Sequence, residues 1–539
     1  AAPALQVIVL GSGGGPHEAN VTAFLVRSLA AGWKKGSVVA VDAGVHLSAI
    51  ARILEATQPA ELGQTEALSL PYTLTTGPFA GLELPHVKAT ANAAHVHRSL
   101  IDTYLITHPH LDHISGFVIN TAGLPGSRPK RLAGLPSTIS AFKTHIFNNV
   151  IWPNLSDENN GAGLVTYMRL VEGGSPALGD GDGKGYLEIS DGLAVKIWSV
   201  SHGHCIEKHS HRGSGSSTRY GSMDTSSMGM VGMSGPMMSP RTMVYHNSAN
   251  ASLGSFLQQQ QQREQAAQSV CVYDSSAYFL RDMATGREIL IFGDVEPDSI
   301  SLSPRNLQIW QEAAPKIVAG NLAAIFIECS YDDSQSVDRL FGHLTPRFIV
   351  EEMNALAGEV AATRLVQLQE KELADRINAS DKKKRKREGD DGLLGKRKPS
   401  SQVRPTVATP TENGVSNNPP TDDPVSPKTL RPPVRVSSGS GSLPEDGPML
   451  DTPHLATPTA ELSLREAELS TPVTPLSAPA ETIPLPLKGL RVVIIHVKER
   501  QTDGEPAGDV ILAELEEHEK DAQLGVEYSV SSEGQSIYL

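Results

Sequence analysis

The segment Y-L-I-T-H-P-H-L-D-H, Tyr104 to His113, places His108, His110, Asp112 and His113 within six residues. Imidazole nitrogen and carboxylate oxygen are the donors that hold zinc and similar divalent cations, and two such cations side by side activate water for hydrolysis near neutral pH. In a turn behind a strand, His108 and His110 can point to one metal while Asp112 and His113 reach a second. The bland reading is a solvated loop that happens to be rich in histidine. A β-rich run before the cluster and the helix-like I-S-G-F-V-I-N after it argue against that reading.

Such a cluster needs rigid elements to hold it. Short runs rich in Val and Ile occur at Gln6–Leu10, Ser37–Asp42, Asp102–Thr107, Ala194–Ser201, Ile289–Asp294, Ala323–Glu328 and Leu490–His496, alternating with helical patterns. They end in Gly, His, Asp or another polar residue, which is how layered α/β enzymes present a site. A long helix is expected after Thr345, capped by the Thr345 hydroxyl, with Pro346 in its first turn and Ile349, Met353, Leu356, Val360 and Leu365 on one side. The acidic D-V-I-L-A-E-L-E-E-H-E-K near the end reads as an amphipathic helix capping the sheet, with a homodimer contact as the alternative, and the final residues read as a strand. The glycines at Gly11 to Gly15 do not form a G-x-G-x-x-G turn with a helix and a downstream acid, so a dinucleotide cradle is not expected.

Composition narrows the class. The chain has 539 residues and a net charge of −14, which weighs against a broad nucleic-acid-binding face. Two stretches lack apolar periodicity: 207–268, with a Met-rich segment and the run Gln258–Gln262, and 380–484, rich in Pro, Ser and Thr after the basic run Lys382–Arg387. Both are expected to be disordered inserts. The segments 1–206, 269–379 and 485–539 are then parts of one catalytic domain. Three cysteines without a C-x-x-C pair exclude a disulfide framework or thiolate zinc finger and fit a reducing compartment. No signal-like or membrane-spanning apolar run is found, so a cytoplasmic protein without a membrane partner is expected.

Further motifs, taken in chain order, resemble the metallo-β-lactamase superfamily. Within it the chain is most similar to the class II 3′,5′-cyclic-nucleotide phosphodiesterases of the fungal low-affinity type, with the tRNA 3′-processing ribonucleases and arylsulfatases as neighbours. The resemblance rests on the H-x-H-x-D-H cluster, Leu10 to Pro16 followed by Asn20-Val21-Thr22, Val41-Asp42-Ala43-Gly44, Trp198 to Gly203, Ile291 to Asp294, Phe326 to Ser330, Phe341 to Thr345 and Val493 to Lys498. It implies an α/β fold, the αββα sandwich of that superfamily. It also implies a binuclear centre in which His108, His110 and His202 serve one cation, Asp112, His113 and His496 the other, and Asp294 bridges them. His202 is preferred to His204, two residues on, because it ends its strand. Asp42 reads as a supporting carboxylate rather than a ligand, and Lys498 as a residue of the rim or near the phosphate. The catalytic set would be Asp112, Glu328 and His343, with Glu328 orienting His343 as the proton donor. Two divalent cations are implied; zinc suits the His/Asp shell best, with manganese or iron tolerated.

The implied reaction is hydrolysis of cAMP, with cGMP as a second substrate, to the nucleoside 5′-monophosphate by a metal-bridging hydroxide, ending a cAMP signal. A ribonuclease Z-like endonuclease is the competing enzyme, but it needs an ordered basic arm that the folded segments lack. A metal-dead scaffold is the competing non-enzyme, and the filled ligand positions argue against it. In the second insert, Lys382–Arg387 with Lys396–Lys398 reads equally as a bipartite nuclear signal or a charged linker. Ser400 and several Ser/Thr-Pro pairs there suggest a protein kinase as partner.

Overall fold

The strand-forming runs are apolar at nearly every position rather than alternating, the pattern of strands covered on both faces. The computed structural model describes residues 2–124, 128–179, 181–204, 272–390 and 485–539. In chain order these form β1 (Leu5–Gly11), β2 (Ala23–Ser28), β3 (Val38–Ala43), α1 (Leu47–Thr57), the short pair β4 (Tyr72–Thr73) and β5 (Glu83–Leu84), α2 (Ala89–His95), β6 (Ile101–Leu105), α3 (Leu111–Gly123), β7 (Lys130–Gly134), α4 (Pro136–Ala141) and β8 (Val165–Arg169). There follow β9 (Leu187–Ser190), β10 (Leu193–His204), β11 (Val272–Asp282), β12 (Glu288–Phe292), α5 (Asn306–Val318), β13 (Leu322–Glu328), α6 (Pro346–Asp390), β14 (Arg491–Ile495), α7 (Ala507–Ala522), β15 (Glu527–Val530) and β16 (Ser536–Tyr538).

Two seven-stranded sheets result, in the orders β16-β1-β2-β3-β6-β7-β8 and β15-β14-β13-β12-β11-β10-β9. Each has a parallel half, β3-β6-β7-β8 in one and β12-β13-β14-β15 in the other. The two-residue period of a strand sorts side chains between layers. Leu5, Val7 and Val9 of β1 meet Ile289, Ile291, Phe326, Val493 and Ile495 of the other sheet in a shared core. Ile8 and Leu10 turn instead toward Ile50, Leu54, Ile114 and Phe117 of α1 and α3. On the far side Leu290, Phe292, Ile325, Ile327, Val492 and Ile494 pack under Trp310, Ile349, Met353, Ile511 and Leu515 of α5, α6 and α7. Three apolar layers thus separate four layers of structure, the expected αββα sandwich, and α7 covers a sheet face. The described residues of Ala1–Asn378 and Thr482–Leu539 form one compact unit; of the second unit, Ala379–Glu481, the structure describes only the end of α6.

Three features of α6 depart from expectation. The Thr345 hydroxyl is buried with no hydrogen-bond partner, and it is Asp333 that accepts the Arg347 N–H, at 3.1 Å. Leu365, expected on the packed side, is 57 % exposed, because the helix leaves the core after Val360. The helix then runs on to Asp390, through the basic run where the insert was expected to begin. Residues 361–388 contain neither Gly nor Pro and are rich in Ala, Leu, Gln, Glu, Lys and Arg, so local propensity favours helix beyond the last core residue, Val360. The expectations for 207–268, for 391–484 with Ser400 and Lys396–Lys398, and for Cys205 and Cys271 lie outside the described residues. Among the described residues no helix is long and apolar enough to cross a membrane, and Cys329 is a buried free thiol.

Beneath the first sheet lies a buried polar knot. The Tyr104 hydroxyl sits 3.0 Å from His46 Nε2 and 3.1 Å from His97 Nδ1, and the buried Lys130 ammonium donates to the carbonyls of His97 and Ile101 at 2.6 and 2.5 Å. Burial, with Lys130 nearby, pulls His97 down to about 3 and His46 well below the usual histidine range. Both imidazoles are therefore neutral in the folded protein. The unfolded chain takes up protons as pH falls through about 6.5, whereas folded His97 does so only near 3, so stability present above this window is lost within it. We expect His97→Leu, which leaves Tyr104 bonded to His46, to lose less melting temperature than wild type between pH 7 and pH 4.5, on the order of one proton's worth of slope. Identical slopes in calorimetry would contradict this.

Candidate metal centre

The parallel strands deliver their C-terminal ends to one edge of the sandwich, where chain direction and buried polar side chains coincide. β6 leads through Thr107 into His108 and His110, and α3 begins at once with Asp112 and His113 in its first turn. β10 carries His202, the turn after β12 carries Asp294, β13 ends in Glu328, and His496 follows β14. The approach of α3 to β3 depends on Gly44, because a Cβ there would lie 1.8 Å from the Asp112 carbonyl oxygen. The Gly44 carbonyl accepts the Gly116 N–H at 2.8 Å, tying the helix in place.

Asp294 is the point on which these elements converge. Its Oδ1 lies 3.2 Å from His113 Nε2, and its Oδ2 lies 3.3, 3.5 and 3.6 Å from the Nε2 atoms of His496, His202 and His108. His110 Nδ1 stands 2.9 Å from His108 Nε2, and Asp112 Oδ2 stands 3.8 and 3.7 Å from the Nε2 atoms of His113 and His496. Three groups share the central carboxylate: His108, His110, His202 and Asp294; Asp112, His113, His496 and Asp294; and Asp294 with Glu328 and His343, of which the first two carry four donors each. His204 is exposed and outside all three.

Most of the inward nitrogens are set by what the far side of each ring does. His113 Nδ1 faces Asp42 Oδ2 at 2.7 Å, and Asp42 also accepts the Thr107 N–H and hydroxyl at 2.8 Å each. With the Thr107 hydroxyl committed to Asp42, His108 Nδ1–H donates to its oxygen, 3.1 Å away. Thr22 donates to the Gly13 carbonyl, so His496 Nδ1–H donates to Thr22 Oγ1 at 2.6 Å. His202 Nδ1–H donates to the Gly342 carbonyl at 2.9 Å. His108, His202 and His496 thereby present bare Nε2 lone pairs to one small space into which His113 also points its Nε2, the arrangement in which outer hydrogen bonds orient metal ligands.

Electrostatics agree with that assignment. Burial and the neighbouring imidazoles pull His108 and His496 well below the usual range, and burial takes His202 to about 3 against the pull of Asp294, so these rings are neutral. His113 is the exception: burial would lower it too, but Asp294 and Asp42 hold it well above the usual range, so its Nε2 carries a proton toward Asp294 that a cation would displace. Burial would raise Asp294, and the rings of His496, His113 and His108 more than offset it, keeping the carboxyl far below the usual carboxylate range. His113 Nε2, His496 Nε2 and Asp294 Oδ1 are buried without a hydrogen-bond partner. Buried polar atoms in this state are costly, and a cation among them removes the cost. The residues fit divalent metal.

Beside the donors, His343 Nδ1 lies 2.8 Å from Glu328 Oε1 and 3.9 Å from Asp294 Oδ2. Glu328 is fully buried and accepts the N–H groups of Val295 and Ser330, both at 3.1 Å, so its charge is held by the backbone. His343 reaches this place through Gly342, at φ +82°, where a Cβ would lie 2.5 Å from the Gly203 nitrogen. That contact sets the rings of His202 and His343 4.8 Å apart. Sequence reasoning did not assign roles to Thr22, Thr107, Gly342 or Tyr331, because nothing in a threonine or glycine marks the partner it will meet; only their positions beside the motifs were a signal. Lys498, expected most at the rim, is half-buried, with its ammonium 5.9 Å from the Tyr331 ring.

With this geometry in view, the sequence matches the family model of the class-II cAMP phosphodiesterases over residues 24–178 and 226–373, more than half of the chain. The chain belongs to that family. A 3′,5′-cyclic-nucleotide phosphodiesterase of Schizosaccharomyces pombe is 28 % identical over 344 residues, 64 % of this chain and 72 % of that protein. One of Candida albicans is 26 % identical over 394 residues, 66 % of this chain and 82 % of that protein. The crystal structure of unliganded yeast PDE1, 18 % identical with a TM-score of 0.54 over 100 % of both chains, shares the fold. His202 and His496 lie outside the segments matched to the family, yet the fold brings both to Asp294.

If Asp42 orients His113 as the hydrogen bonding indicates, Asp42→Asn will weaken retention of divalent metal by roughly ten- to a hundredfold in a competition titration with a chelator. A change under about threefold would leave Asp42 a purely structural residue.

Proposed function

We propose that this class-II phosphodiesterase hydrolyses 3′,5′-cAMP, and cGMP as a second substrate, to nucleoside 5′-monophosphates, with two divalent cations, zinc foremost, held by His108, His110, His202, Asp112, His113, His496 and Asp294. The observation that carries the reading is the convergence of these donors on one buried carboxylate in a chain of this family, with a Glu-oriented histidine alongside. The cations, when bound, supply an activated water and neutralise charge on the phosphoryl oxygens. The chain supplies the remainder. Asp294 spans both donor groups, and Asp112 completes the second. Opening the ring breaks the bond between phosphorus and O3′, and the departing oxygen needs a proton. His343 gives that proton from Nε2, while Nδ1–H stays on Glu328, which fixes the ring and stabilises the imidazolium before transfer.

Family membership favours this reading over a ribonuclease Z-like endonuclease, and the complete donor set disfavours a metal-dead scaffold. The same proposal includes the parts that rest on sequence alone: one catalytic domain from 1–206, 269–379 and 485–539 interrupted by two inserts, a cytoplasmic and nuclear distribution, kinase action on the second insert, and a homodimer.

Zinc-loaded protein should convert 3′,5′-cAMP to 5′-AMP by chromatographic assay, lose this with a chelator and regain it with zinc. His110→Ala should abolish turnover. His343→Asn should retain the metal and lower kcat by about 10²- to 10⁴-fold with a much smaller change in KM. Protein that holds zinc and cleaves linear RNA but leaves cAMP intact would overturn the proposal.

A further inference from the structure

A phosphate ester bound at the centre needs a place for its organic part, and the structure has a walled space of suitable chemistry beside the metal donors. A cavity of 260 Å³ opens between the segment after β13 and the segment after β14, lined among others by Ser330, Tyr331, Asp332, Gln335, Lys498 and Arg500. It adjoins the site directly. The Tyr331 ring meets the His343 ring edge-on at 6.0 Å, the Ser330 hydroxyl donates to the His496 carbonyl at 3.2 Å, and the Lys498 N–H donates to the Ser330 carbonyl at 3.1 Å.

The lining has two characters. Tyr331 is half-buried and offers an aromatic surface, with the Lys498 ammonium beside it. The opposite character comes from Asp332, paired with the Arg500 guanidinium, and from Ser334, whose hydroxyl lies 3.3 Å from the same guanidinium. An aromatic face beside a row of donors and acceptors suits a flat heteroaromatic ring with hydrogen-bonding edges, while a cation next to His496 suits the phosphate attached to it. Two other aromatic residues among those described invite comparison: Phe341, two residues before His343, and Tyr273, 6.3 Å from the His110 ring. They are 63 % and 46 % exposed, so a base on either would lose less contact with water than one in the cavity.

We propose that this cavity is the nucleobase subsite, with Tyr331 as the aromatic contact for the base and Lys498 as the cation on the phosphate side. The inference rests on the cyclic-nucleotide reading above and adds where the nucleoside lies. Contact between a base and one aromatic side chain changes affinity by roughly tenfold or more, so the effect is measurable by substrate comparison.

The test uses the zinc-loaded full chain and two substrates, cAMP and ribose 3′,5′-cyclic phosphate, which has the same ring but no base. The quantity read is the ratio of their kcat/KM values. Tyr331→Ala should lower this ratio roughly tenfold, chiefly through KM for cAMP, and Tyr331→Phe should restore it. Lys498→Met should depress both substrates together and leave the ratio in place. A ratio unmoved by Tyr331→Ala, including an equal loss on both substrates, overturns the subsite, as does a ratio that falls with Phe341→Ala instead. A wild type inactive on cAMP overturns the activity and the subsite together, so the two failures are told apart by the wild-type control.

Discussion

A carboxylate closed off from water is the constraint to which the rest of this molecule answers. Asp294 is 2 % exposed and has no lysine or arginine beside it among the described residues; what faces it are four imidazoles, of which His108, His202 and His496 have bare nitrogens. A charge so placed costs several kcal/mol unless positive charge joins it. Of the scaffold's own groups His113, held in its charged form by Asp294 and Asp42, relieves part of that cost. The other rings point lone pairs at the same space, a donor set that fits divalent metal.

The scaffold's own hydrogen bonds are spent on the far sides of the rings. Asp42, Thr107, Thr22 and the Gly342 carbonyl each take the proton of one Nδ1. Asp42 lies in β3, Thr22 just before β2 and Thr107 just after β6, all on the first sheet, while Gly342 lies in the turn between β13 of the second sheet and α6, so both halves of the sandwich fix the tautomers. Packing of Leu5, Val7 and Val9 against Ile291, Phe326 and Val493 is in this sense part of the centre, because it sets the distance between the sheet bearing His108 and the sheet bearing Asp294.

Much of this was legible in the sequence where chemistry and periodicity coincide. Four ligand-type residues in the turn after Tyr104, and strands closing on Asp294, Glu328 and His496, mark the edge at which a site forms. His202 could be preferred to His204 as the end of its strand; β10 in fact runs on to His204 after a register shift beyond Ser201, and it is His202 that faces Asp294. What could not be read were interactions made by partners far apart in the chain. Thr22 meets His496 across most of the sequence, and Gly342 meets Gly203 backbone to backbone, without any local pattern to announce either. The end of packing along α6 was equally hidden. Leu365 continues the apolar spacing, but periodicity describes only the helix, whereas burial depends on where the neighbouring sheet ends.

The order of strands β12, β13 and β14 has a consequence for how the molecule is made. The donors of the first group, His108, His110, His202 and Asp294, are all present once β12 and its turn have been synthesised. The second group waits for His496, beyond α6 and the long segment after it. A chain emerging from its N-terminus therefore acquires one complete donor group well before the other, and folding of the last strands is the event that completes the second. The final ligand thus acts as a checkpoint: a chain interrupted between His343 and β14 carries every donor side chain but His496, and its second donor group stays incomplete.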